Sequence, residues 1–276
     1  MTQLLDGRAL AKRIRETVKT RVASLPQPPI LGVVLVGDDP ASHLYVSLKR
    51  KACEEAGIGF QLHVLPAEEP EPNIVALVES LGADPAVTGI LVQLPLPSQD
   101  PDRIIAAIPP RKDVDGFHSE NLERLAKGEP GIVPALALGI MKLIDEAKHT
   151  FTPHSCAIVG SAFFARPIGH LLNEHGITPT IVDPDDAELA AKTRTSDILI
   201  VAVGRPRLIT SEAVKPGAIV IDVGTTRVGD QVVGDVDRTS VENTAGFLTP
   251  VPGGVGPMTV AMLLLNILKA YSLQNR

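Results

Sequence analysis

The sequence predicts an α/β fold of two domains, each with a parallel sheet. Three observations lead there. Short apolar runs rich in β-branched residues recur along the chain: "ILGVVLVG", "FQLHVLP", "GILVQLPLP", "CAIVG", "PTIVD", "DILIVAVG" and "AIVIDVG". Between most of them lie segments with a 3.6-residue apolar period, and such alternation marks parallel strands covered by helices on both faces. The chain has 276 residues, 44% of them hydrophobic, which is enough for a large core that divides into two domains.

The elements follow in order. "MTQLLDGRALAKRIRE" reads as a short strand before an amphipathic helix, and it lacks the apolar centre of a signal peptide. The first three apolar runs are separated by helical patterns over 41–56 and 73–81. The alternation pauses between about Asp113 and Gly131. The helix "ALGIMKLIDEAK" then opens a second series, with helical patterns over 167–175 and 187–194. The apolar helix "TVAMLLLNILKAY" has no strand after it and is expected to return to the first domain. The expected division is therefore 1–135 with 258–276, and 136–257.

Composition excludes several classes. A net charge of -6 argues against nucleic acid, whose phosphates need a basic surface. Aromatics at 3% and the absence of Trp leave no base-stacking platform. No apolar run reaches the roughly 18 residues of a membrane span. Cys53 and Cys156 are expected as reduced core thiols of a cytoplasmic protein. No metal site is expected.

Ser155 to Asp183 reads as strand, turn, helix, strand. Gly160 stands where a Rossmann-type unit makes its tight turn beside a phosphate. Asp183 ends the second strand roughly 20 residues on, where such a unit places an acid for the adenosine ribose hydroxyls. Asp185 and Asp186 follow, and three carboxylates there would repel a 2′-phosphate. Only one of the three fingerprint glycines is present, so a βαβ unit without a nucleotide also fits these residues.

In the first half, Ser42, Tyr45 and Lys49 are spaced three and four apart and share a helix face. That face starts at the C-terminal edge of a strand, where open α/β sheets bind ligands. A lysine in a partly dry pocket loses some preference for its ammonium form and can relay protons. Gln93 leaves the sheet after "GILV"; a neutral amide there could polarise a carbonyl or hold a lysine. Asp115, before Gly116, could accept two parallel N–H bonds from an amidine edge. Each residue also has an ordinary structural reading: an exposed lysine, a loop amide, an Asp-Gly turn.

Taken together these words resemble the methylenetetrahydrofolate dehydrogenase/methenyltetrahydrofolate cyclohydrolase family across nearly the whole chain. The matching words are "VGDDPASHLYVSLKRKACEEAGI", "GILVQLPLP", "KDVDGFH", "DILIVAVGRP", "GAIVIDVG", "GDVD" and "TPVPGGVGPMTVAMLL". The resemblance implies a cleft between two α/β domains, a folate on the first, a nicotinamide dinucleotide on the second, and a homodimer. It implies that Lys49 is the catalytic lysine, with Tyr45 touching substrate and Gln93 tuning the lysine. Val92, Gln93 and Leu94 would line the folate site with Asp115, which would grip the pterin. Pro252, Gly253, Gly254, Val255, Gly256, Pro257, Met258 and Thr259 would complete that site as a loop. Gly160, Ser161 and Ala162 would form the dinucleotide turn, and Thr225 would lie by the nicotinamide.

Three stretches depart from the family pattern: "GSAFFARP" is shorter than usual, "PALALG" replaces P-C-T-P-x-G, and "DPDD" ends the second strand. The loss of polar phosphate ligands and the acidic strand end favour NAD over NADP. The expected activities are oxidation of methylenetetrahydrofolate and hydrolysis of the methenyl product. A cyclohydrolase or folate binder with a degenerate nucleotide site is the alternative. A dehydrogenase for another one-carbon carrier is the third reading, opposed by Asp115 and "PGGVGPMT".

Overall fold

The computed structural model describes residues 2–148 and 152–275. They form two compact units. One is Lys12–Ala135 with the segment from Val260 onward; the other is Leu136–Thr259 with the segment up to Ala11.

The first unit carries a three-stranded parallel sheet. Ile30–Val36 is its centre, with Gly59–Leu65 on one side and Gly89–Val92 on the other. "ILGVVLV" is continuously apolar because a central parallel strand is covered on both faces, and six of its seven residues are buried. The edge strand "GFQLHVL" alternates more and is only partly buried. Ile74, Val78 and Leu81 of the helix Glu71–Ala83 meet Val34, Ile90 and Val92 in the core. Asn266 ties the C-terminal helix into this unit, donating to Val114 O at 2.9 Å and Val133 O at 2.8 Å. Losing it would strand two carbonyls, at about 1–3 kcal/mol for each one left unpaired.

The second unit carries a six-stranded, all-parallel sheet. Its order is Gln3–Leu4, Phe247–Leu248, Ile219–Asp222, Ile198–Ala202, Ser155–Gly160, Thr178–Val182. Val159, Leu199, Val201 and Val220 build its core against Ala213, Val214 and Val241.

The compact units differ from the expected division at two boundaries. The first eleven residues fall with the second unit, not the first. Gln3 and Leu4 pair with Phe247 and Leu248, and Leu5 N–H donates to Leu248 O, so the N-terminus closes an otherwise open sheet edge. The C-terminal segment joins the first unit at Val260 rather than 258, part-way along the helix Val255–Gln274. That helix is also long and apolar enough to cross a membrane by length and composition, although Asn266 and Lys269 interrupt its apolar run. Its Met262, Leu263, Leu264, Ile267 and Leu268 are buried within the protein.

Smaller differences have local causes. The helix expected from Pro167 begins at Ala162, because Ser161 caps it by accepting the Phe164 N–H. The pause after Asp113 holds a helix, Ser119–Ala126. An antiparallel hairpin, Thr226–Val228 with Gln231–Val233, turns at Gly229–Asp230.

Candidate active site

Lys49 sits on the helix Pro40–Ala56. Asp39 Oδ2 fixes the start of that helix, accepting both the backbone N–H and the hydroxyl of Ser42 at 2.8 Å. Ser42 is thus a capping partner, although it shares the face of Tyr45 and Lys49. Lys49 is 8% exposed and Gln93 7%, whereas Tyr45 is 38% exposed. Gln93 directly follows the strand Gly89–Val92, at its C-terminal end. The two side chains meet there: Lys49 Nζ donates to Gln93 Oε1 at 2.8 Å. Gln93 Nε2 donates to Leu94 O at 2.6 Å, which fixes the amide so that its oxygen faces the lysine. Val92 is buried, Leu94 is half-buried, and the Leu94–Pro95 peptide is cis.

Burial pushes the Lys49 ammonium down from its ordinary value, and the Asp115 carboxylate opposes that shift. Asp115 is pushed up by loss of water, with Lys49 pulling the other way and Asp113 adding to the rise. Both groups are therefore brought toward the neutral range. Cys53, one turn along the helix, is pushed up to about 12 by burial and is an inert thiol. Asp113 holds the turn that carries Asp115. Its carboxylate accepts the N–H of Gly116 at 3.0 Å, the N–H of His118 at 2.8 Å and Asn121 Nδ2 at 3.1 Å. Sequence reasoning missed this residue, which is 1% exposed.

In the second unit, Gly160 closes its strand against a neighbour. A Cβ there would lie 2.9 Å from Ala202 O and 3.2 Å from the Phe164 ring. Ser161 and Ala162 are exposed at the start of the 13-residue helix Ala162–Glu174, whose amino end suits a phosphate. Asp183 is exposed one residue beyond the strand Thr178–Val182, and its Oδ1 accepts the Asp185 N–H at 2.8 Å. An N-terminal helix end beside an exposed strand-end acid fits a dinucleotide. The three acids are not equivalent, however. Asp185 Oδ1 lies 2.6 Å from Arg205 Nη1, and Asp186 is paired with Lys192. Thr225 is exposed just after Gly224.

Behind Thr225 stand two buried acids. Asp222 accepts the N–H groups of Gly224, Asp235 and Val236, each at 3.0 Å, and burial pushes it up to about 7. Asp235 accepts the N–H of Val203 at 2.6 Å and of Gly204 at 3.0 Å. Together they fasten the loops that leave two central strands.

The segment 252–259 is half loop and half helix, since Val255 to Thr259 open the helix Val255–Gln274. Pro252 and Gly256 are exposed, Gly253, Gly254, Val255 and Met258 are buried, and Pro257 and Thr259 are half-buried. Val251–Pro252 is cis. Gly7 packs directly on this loop: a Cβ on it would lie 1.8 Å from Gly254 O, and Arg8 N–H donates to Gly253 O at 3.1 Å. Nothing in the local sequence signals that contact.

Comparison with known proteins agrees over both halves. Residues 5–115 match the tetrahydrofolate dehydrogenase/cyclohydrolase catalytic domain, and residues 134–275 match the NAD(P)-binding domain of the same family. The chain belongs to the tetrahydrofolate dehydrogenase/cyclohydrolase family. It is 46% identical over 274 residues to the bifunctional protein FolD of Bordetella avium, covering 97% of this chain and 96% of the relative. The bifunctional FolD methylenetetrahydrofolate dehydrogenase/cyclohydrolase of Campylobacter jejuni superposes with a TM-score of 0.94 at 40% identity, covering 99% of this chain and 100% of that one. The Trypanosoma brucei dehydrogenase-cyclohydrolase, solved with NADP and an inhibitor, superposes with a TM-score of 0.94 at 34% identity, covering 100% of this chain and 99% of that one.

Proposed function

We propose that the chain is a bifunctional enzyme of one-carbon metabolism. It oxidises 5,10-methylenetetrahydrofolate to the 5,10-methenyl form with a nicotinamide dinucleotide, and it hydrolyses that product to 10-formyltetrahydrofolate. The observation that carries this reading is the dry Lys49–Gln93 pair, on whose ammonium Asp115 acts electrostatically, in a chain that matches a bifunctional family along its length.

The residues suit the chemistry in turn. Asp115 accepts the pterin's amidine edge, and Tyr45, Val92 and Leu94 line its path. The family resemblance assigns the segment 252–259 to folate as well, and Gly7 and Arg8 hold that loop in place. A bound nicotinamide dinucleotide supplies the hydride acceptor. Folate nitrogen electrons drive that transfer, so the protein's task is alignment.

Hydrolysis needs protons moved. Water adds to the methenyl carbon and gives up a proton. The carbinol O–H proton then goes to N5 as the C–N5 bond breaks, leaving a formyl group on N10. Lys49 Nζ, its ammonium weakened by burial, takes the first proton and releases it to solvent, and then relays the second from the carbinol oxygen to N5. Gln93 holds Nζ through a neutral oxygen, so it positions the amine without fixing it as a cation.

Gly160, Ser161 and Ala162 would hold the pyrophosphate, Asp183 the adenosine ribose, and Thr225 the nicotinamide side. We read the dinucleotide as NAD. Asp183 offers an acceptor to a ribose hydroxyl and a repulsion to a 2′-phosphate. The protein is also read as a cytoplasmic homodimer. Thermal unfolding with added dinucleotide tests the nucleotide half. A ligand at about 100 times its Kd stabilises the native state by about 2.7 kcal/mol. A clear rise in Tm with NAD is expected. No rise with either dinucleotide would reduce the protein to a cyclohydrolase on a nucleotide-fold scaffold.

A further inference from the structure

The ion pair between Arg205 and Asp185 has a particular place in the second unit's sheet. Arg205 follows the strand Ile198–Ala202, and Asp185 follows the strand Thr178–Val182. Those strands flank Ser155–Gly160, one on each side. Adjacent strands lie about 4.8 Å apart, so the flanking pair is about 10 Å apart at this edge. The contact of 2.6 Å between Arg205 Nη1 and Asp185 Oδ1 therefore links the segments that follow the two strands flanking the middle one, which ends at Gly160. That is the edge on which a Rossmann-type unit lays the adenosine half of its ligand. Asp183 also acts electrostatically on the same guanidinium. Lys192, the other cation placed by these acids, is engaged by Asp186 and Glu188.

We propose that Arg205 and Asp185 form a specificity latch over the adenosine site, in which Asp185 occupies the guanidinium that would otherwise receive a 2′-phosphate. The proposal rests on the dinucleotide reading above and assigns the discrimination to Asp185 as well as Asp183. The chemistry is a competition between two anions for one fork of donors. A guanidinium binds a phosphate through two parallel N–H bonds as readily as it binds a carboxylate. Both side chains are substantially exposed, at 47% and 71%, so their pairing contributes little to folding and can be broken without unfolding the protein. Removing the carboxylate leaves the guanidinium in place, facing the ribose, with one negative charge fewer around it. Both changes favour a dianion.

The test is calorimetric binding of two probes, adenosine 5′-monophosphate and adenosine 2′,5′-bisphosphate. It uses the wild type, Asp185→Asn, Asp183→Asn and the double variant Asp185→Asn/Arg205→Gln. Asp185→Asn is expected to tighten the bisphosphate by about tenfold and to leave the monophosphate unchanged. The double variant is expected to lose that gain. The same ratio read as NADP over NAD in kcat/KM should move in parallel. A ratio unmoved by Asp185→Asn, or a gain that survives in the double variant, overturns the latch. A gain in Asp183→Asn alone assigns discrimination wholly to Asp183 and overturns it too. Failure of every form of the protein to bind the monophosphate overturns the dinucleotide reading itself, and the latch with it.

Discussion

Replacing Lys49 with methionine separates the two activities. Methionine keeps much of the length and apolar bulk of the lysine stem but has no proton to give or take. The rate cost follows from the role. A positioned proton-transfer group contributes about 10²–10⁴ to a rate, which is about 3–5 kcal/mol of barrier. The stability cost is smaller and is set by the site's own contacts. Gln93 Oε1 loses the donor it holds at 2.8 Å, and an unpaired buried acceptor costs about 1–3 kcal/mol. Against that, a cation weakened by burial is no longer buried. The net change is about 1–2 kcal/mol, a few degrees in Tm for a domain of this size. The assay follows loss of methenyltetrahydrofolate in one cuvette and methylenetetrahydrofolate-dependent reduction of NAD in another. Hydrolysis should fall at least a hundredfold, while oxidation, which is governed by alignment, falls far less. Equal losses in both, with a raised folate KM, would make Lys49 a binding group only. Unchanged hydrolysis in a folded variant would remove it from the reaction.

Further perturbations probe other parts of the account. Gln93→Glu places a carboxylate against Nζ and raises the Lys49 pKa, so the acid limb of the hydrolysis profile should move to higher pH; an unmoved limb would deny that Gln93 tunes the lysine. Gly7→Ala drives a methyl into the Gly254 carbonyl and should raise the folate KM several-fold without changing the NAD KM, as initial-rate kinetics would show. Asp183→Ser should relax the preference against NADP, read as the ratio of kcat/KM values. Asp222 titrates at about 7 when folded against an ordinary 3.8, so the folded state holds a proton that the unfolded chain releases. Its contribution is full below about pH 4 and is lost as pH rises through about 7; urea midpoints should decline across that window, and Asp222→Asn should flatten the decline.

What could be read in advance follows from the range of the interactions. The sheets were legible because central parallel strands are unbroken apolar runs, as in "ILGVVLV" and "DILIVAVG". The N-terminal strand's partner was not, because Gln3–Leu4 and Phe247–Leu248 are two residues long and too short to carry a period. Lys49 and Gln93 lie far apart in sequence, so their hydrogen bond could be expected only from the words around them. Gly7 against Gly254, and Arg205 against Asp185, are contacts between separate elements with no pattern of their own. Asp113 was hidden differently: in "KDVDGF" both acids look alike, and only the hydrogen bonds of the folded chain show that the first builds the turn, while the second acts electrostatically on Lys49. The three carboxylates of "DPDD" could be read from the sequence, but not that two of them pair with cations from outside the stretch.

The most direct measurement is oxidation of methylenetetrahydrofolate by the purified protein with NAD and NADP side by side at matched concentrations, with hydrolysis of the methenyl product followed in the same samples. The account predicts turnover of both steps in one protein, faster with NAD than with NADP. Hydrolysis without oxidation by either dinucleotide would contradict the bifunctional reading. Faster oxidation with NADP would contradict the role given to Asp183.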